Sequence, residues 1–204
     1  MAEPFKNLIN ADAVDAISHH LHRVWPGFDQ RAFSQQALAG LHTLELKARV
    51  MQVAQALVAA LPADVDRAAG LLEASLGPAG TGDDLASLRT SAAGLAGWPV
   101  WPLTEAITLL AAAAQPARGL QALHAMTQRL TAEYAIRPFL IHHPETSFAT
   151  LARWVQDPSA HVRRLVSEGS RPRLPWGLRL QALVVDPAPK IGRASCRERV
   201  CLAV

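Results

Sequence analysis

Apolar residues recur at spacings of three and four along almost the whole chain, and proline or glycine interrupts them roughly every 10 to 18 residues. Residues 11–24 show the pattern with Val14, Ile17, Leu21 and Val24. It continues over 30–41, 44–61, 64–76, 101–114, 117–134, 145–156, 158–168 and 175–184, with breaks at Pro26-Gly27, Pro62, Gly77-Pro78, Gly80 and Gly82. No stretch alternates polar and apolar residues as a half-buried strand would. A short helix with one apolar stripe must bury that stripe against a neighbour, so the predicted class is all-α, a stack of helical pairs. Four regions follow: an N-terminal helical cap over 1–76, a flexible Gly/Ala/Ser/Thr-rich connection over 77–97, helical repeats over 98–190, and a tail over 191–204.

The best local evidence for a repeat is "DPSAHVRRLVSE", residues 157–168. Asp157 can cap a helix whose first turn holds Pro158. Val162, Leu165 and Val166 form the buried stripe, and Arg163 and Arg164 begin a polar ridge. This is how the second helix of a HEAT repeat reads, and "VVDPAPK" (184–190) looks like the opening of another.

Half the residues are hydrophobic and 18% are charged, which excludes a disordered chain. The longest apolar runs, such as "LTEAITLLAAAA", are too short or too charged to span a bilayer. The opening "MAEPFKNLINADAV" lacks a basic segment followed by an apolar one, so a cytoplasmic protein is expected. Both cysteines, Cys196 and Cys201, lie in the tail, leaving residues 1–190 without a disulfide framework or thiolate metal site. Of the net charge of +3, three arginines against Glu198 in the tail supply +2. The body is nearly neutral, and any argument for an anionic partner must come from local clusters. The tail "IGRASCRERVCLAV" reads as translated adaptor sequence, which would make the chain a fragment.

Candidate chemistry narrows quickly. "SHHLH" puts His19 and His22 three apart, but no cysteine or carboxylate pair accompanies them, so surface or helix-packing histidines are expected and no metal. His142-His143, before Pro144, read as a turn. "GLAGWP" neither follows a strand nor carries a lysine, so there is no phosphate loop and no cofactor. What remains are two carboxylates. Glu133 and Arg137 in "TAEYAIRPFL", and Arg164 and Glu168 in "HVRRLVSEGSRPRLPW", each stand at i and i+4 near a helix end. They can be ordinary ion pairs, worth about 0.3–0.5 kcal/mol when exposed. Glu168, however, sits where the helix dipole disfavours an anion by about 0.3–1 kcal/mol. Gly169 allows a sharp stop, and Pro172 keeps Ser170-Arg171 out of the helix. Arg171 and Arg173 around this turn suit phosphate, and Trp176 offers a face to a base. "LPW" can equally staple the turn to the next helix.

"AEYAIRPFL", "HVRRLVSEGSRPRLPWG" and "FKNLINADAV" together resemble the AlkC branch of the AlkC/AlkD-like bacterial DNA glycosylases, from about Phe5 to Pro189. The resemblance implies a right-handed solenoid of HEAT-like repeats, working as a monomer on double-stranded DNA that contains alkylated bases. It implies hydrolysis of the N-glycosidic bond of N3-alkylated bases, 3-methyladenine above all, without flipping the base into a pocket. It places two active-site glutamates on Glu133 and Glu168, the active-site tryptophan on Trp176, and a DNA-contacting arginine on Arg164. Arg137, Arg163, Arg171 and Arg173 complete the expected DNA contacts. A third family carboxylate, an aspartate, belongs to a further repeat and has no counterpart before the tail. The alternative from another class is a helical-repeat DNA-binding or scaffold protein without glycosidic activity.

Overall fold

The computed structural model describes residues 4–80, 85 and 88–187. The tail, with Cys196 and Cys201, lies outside them. Ten α-helices occur among these residues, and no strand beyond isolated bridges such as Leu76 with Leu95. They are α1 (Ala11–Val24), α2 (Gln30–Leu38), α3 (Leu46–Ala60), α4 (Val65–Ala74), α5 (Val100–Ala111), α6 (Pro116–Thr127), α7 (Arg137–His142), α8 (Pro144–Trp154), α9 (Ala160–Gly169) and α10 (Gln181–Val185). The all-α class read from the sequence is what the chain adopts. None of these helices is long and apolar enough to cross a membrane.

Local chemistry sets several boundaries. The side chains of Asn10, Asp29 and Asp64 accept from backbone N–H groups three residues on and open α1, α2 and α4. Gly40, at φ 66°, turns the chain after α2. Pro144 divides 137–154 into α7 and α8, with His143 between them. Asp157 does not cap α9. It sits two residues too early, accepting from Ser159 N at 2.8 Å and holding the His124 ring at 2.7 Å. Ser159 takes the cap position without a side-chain bond.

Stacking follows the helical-pair rule: α3 lies on α5 and α4 on α6, while α5 packs on α6 and α8 on α9. One continuous apolar cluster runs from Ile9 and Val14 through Leu57, Leu72 and Ile107 to Phe139, Val166 and Leu183. The described part of 77–97 is bonded to this body. Leu95 is fully buried, Gly77 N donates to the Leu95 carbonyl at 2.8 Å, and Arg23 reaches the carbonyls of Ala92 and Ala93.

Two expected helices are shorter than their sequence pattern, both because of tertiary bonds. The 117–134 helix ends at Thr127, since the carbonyls of Gln128 and Arg129 accept from Gly80 N and Gly97 N instead. The Arg129 side chain in turn donates to the Gly77 carbonyl at 2.8 Å. The 175–184 helix is confined to α10, because residues 170–180 form an irregular loop held from outside.

Candidate functional site

The loop after α9 is built around Arg137. Its side chain is fully buried, and its guanidinium donates to three backbone carbonyls: Gly169 at 2.9 Å, Pro172 at 3.4 Å, and Leu178 through Nε. Gly169 ends α9, so the cation also faces the negative end of that helix dipole. Burial pulls the guanidinium below its ordinary pKa, and the charge of Glu133 opposes that shift. The expected Glu133–Arg137 pair within one helix is therefore corrected. Glu133 lies in the turn after α6, Arg137 opens α7, and a fully buried arginine presents nothing to a phosphate. Its structural work is to fix the loop.

Gly169 also has a different task from the one expected. It is the last residue of α9 and has no positive φ. A Cβ there would stand 2.7 Å from Ile136 Cγ2. The glycine lets the end of α9 close on the turn that carries Glu133, bringing two distant sequence motifs together.

The ion pairs are exchanged relative to the i, i+4 expectation. Arg164 faces Glu133, with Nη2 and Oε2 3.9 Å apart, and Arg171 donates to Glu168 Oε2 at 2.7 Å. Glu133 is the more enclosed carboxylate, with 13% of its side chain exposed against 29% for Glu168. Its field reaches widely. The bond to Glu168 and then its charge raise the Arg171 guanidinium, with Glu133 adding to the effect, while burial and then Glu133 raise the Tyr134 phenol. Glu133, Arg164, Glu168 and Arg171 thus form one charged cluster assembled from the turn after α6, helix α9 and the loop that follows it.

Trp176 follows in the same loop. Gly177 N donates to the Leu174 carbonyl at 3.0 Å, closing a turn with Pro175 and Trp176 at its centre. Trp176 has φ 63°, the one non-glycine positive φ among the described residues, and is 72% exposed. A type II turn wants glycine or asparagine there, because a Cβ crowds the left-handed region. An exposed indole in that conformation is not a staple for the next helix, which begins only at Gln181.

The remaining arginines differ. Arg173 is exposed and lines a hollow of about 290 Å³ with Leu174, Gly177 and Arg179. Arg163 turns back on its own helix start, donating to the Asp157 and Pro158 carbonyls at 2.7 and 3.0 Å. Sequence reasoning missed Arg179 and Lys47. The first continues the arginine run and was legible. Lys47, on α3, donates to the Trp176 carbonyl at 2.6 Å across 129 residues, and no local pattern announces it. A cavity of about 250 Å³ lies beside it, walled by Trp101, Glu105, Tyr134 and Gly177. Among the described residues no group of three His, Cys, Asp or Glu side chains could hold a metal ion.

No family model matches the chain. It is 32% identical over 186 residues to the uncharacterized protein YhaZ of Bacillus subtilis (strain 168), an alignment covering 90% of this chain and 47% of that protein. Among solved structures it is similar to Pseudomonas fluorescens alkylpurine DNA glycosylase AlkC bound to DNA containing an abasic site analog. That match has a TM-score of 0.80 and 30% identity, and covers 100% of this chain and 55% of the other. The chain spans about half the length of the proteins it matches. In its helical-pair stack, and at 30% identity, the chain is AlkC-like.

Proposed function

We propose that this chain carries the base-excision site of a DNA glycosylase that hydrolyses the N-glycosidic bond of N3-alkylated purines, 3-methyladenine foremost, in duplex DNA. The observation that carries this reading is the meeting of the turn that carries Glu133 with the last turn of α9, which carries Glu168, where Arg164 and Arg171 pair with the two carboxylates and an exposed, left-handed Trp176 follows in the next loop. The AlkC structure, determined with abasic-site DNA, supports it at the level of the whole fold.

An N3-alkylated purine is already cationic, so it leaves without a general acid. What needs help is the developing positive charge on the sugar and the water that attacks it. Two carboxylates near that carbon stabilise the cation and orient the water, and they favour a charged base over a neutral one. In this proposal Trp176 packs beside the lesion, and Arg164, Arg171 and Arg173 take phosphates. Arg164 and Arg171, 46% and 40% exposed at their side chains, hold their glutamates by pairs weak enough to exchange for a phosphate. Action as a monomer in the bacterial cytoplasm belongs to the same proposal.

The pairing of both glutamates with arginine also favours a second reading, a helical-repeat DNA-binding scaffold without chemistry. Release of 3-methyladenine from methylated duplex separates them. Glu133→Gln and Glu168→Gln should each lower release by roughly 100-fold or more while DNA affinity holds or rises. Variants that excise like the parent would remove the catalytic assignment. DNA binding without release, and without preference for methylated over plain duplex, would establish the scaffold.

A further inference from the structure

A tryptophan in the left-handed region is strained and persists only where its surroundings hold it. The flanks of Trp176 are held by Arg137 through the Pro172 and Leu178 carbonyls. The strained residue itself is held by Lys47, which donates from the first turns of α3 to the Trp176 carbonyl at 2.6 Å. The same ammonium lies 5.8 Å from the centre of the Tyr134 ring, within the range of a cation–π contact. Tyr134 follows Glu133 directly and stacks on Trp101, with ring centres 5.3 Å apart and planes 16° from parallel. One exposed lysine of the N-terminal region thus bridges the turn carrying Glu133 and the turn carrying Trp176.

We propose that Lys47 is a positioning residue, fixing the Trp176 indole relative to Glu133 through the Trp176 carbonyl and the Tyr134 ring. The assignment rests on the glycosylase reading above. It gives residues before 76 a place in the site rather than only the role of a cap. Lys47 would touch no reacting atom. Its loss would leave the charged cluster intact and misplace the indole, and an error of about 1 Å in such a group can cost on the order of 100-fold in rate.

The test labels the whole chain with 5-fluorotryptophan and reads its five tryptophans by ¹⁹F NMR, with Trp176→Phe assigning the Trp176 resonance. Lys47 is exposed, so Lys47→Met removes the donor without opening the core, and Lys47→Arg keeps a cationic donor in its place. Lys47→Met should shift or broaden the Trp176 resonance and leave those of Trp25 and Trp154 unchanged. On methylated duplex it should lower kcat about tenfold or more with KM within about twofold, and Lys47→Arg should recover most of both. A parent that excises, with Lys47→Met matching it in resonance and in kcat, overturns the Lys47 assignment alone. A parent that releases no base overturns the glycosylase reading, and Lys47's place in that reaction with it.

Discussion

At the scale of single residues, burial decides what each charge does. Arg137 looked like one more arginine in a basic motif, yet it is enclosed and satisfies three carbonyls of the functional loop. Arg137→Met leaves buried acceptors unpaired, and thermal unfolding should show a loss of at least about 2 kcal/mol. Lys cannot reproduce the fork and should recover little of it. Trp176 is the opposite case, exposed and unneeded by the core. Trp176→Ala should leave the melting temperature unchanged or raise it, and weaken binding to abasic-site duplex by about 1–3 kcal/mol if the indole packs against a base. Glu105 is a third case. Burial raises its carboxyl pKa above the ordinary value, with the Trp101 N–H and the Lys47 charge opposing. A carboxyl raised in the folded state favours folding below its unfolded pKa, and that contribution disappears as pH rises through the folded value. Glu105→Gln, which keeps an acceptor for Trp101, should therefore stabilise the chain at neutral pH. The difference in melting temperature from the parent should vanish near pH 4, and an advantage that persists there would contradict the cause given.

Helices meet closely where glycine permits it. Gly119 on α6 faces Phe139 of α7, and a Cβ there would lie 2.6 Å from the Phe139 ring and 2.8 Å from Ala111 Cβ of α5. Phe139 is fully buried and cannot swing aside. Gly119→Ala should therefore cost about 1–3 kcal/mol in a urea titration, although alanine is the better helix former. A neutral or stabilising result would mean that α5, α6 and α7 separate more easily than their packing implies. Gly70, on α4 with nothing within 4 Å of its Cβ position, is the control, and Gly70→Ala should stabilise by up to about 1 kcal/mol. The difference between these glycines is invisible in the periodic pattern, since both sit inside well-formed helices.

For the whole molecule, α3 on α5 and the anchored residues between α4 and α5 join the N-terminal helices to the repeats in one core. Urea unfolding followed by circular dichroism and by tryptophan fluorescence should give coincident transitions, and two separated midpoints would divide the chain at the 77–97 connection. The sequence alone determined the class and most of the helices, because a three-and-four spacing of apolar residues has one common solution and proline marks a boundary by local chemistry, as Pro144 does. It also singled out Glu133, Glu168 and Trp176. Their arrangement was decided only by tertiary structure. The pairing of Arg164 with Glu133, the enclosure of Arg137, the left-handed backbone at Trp176 and the reach of Lys47 all join residues far apart in the chain. Local periodicity reports which face of a helix is buried. It carries no information about which distant carbonyl will meet a charge once the stack has closed.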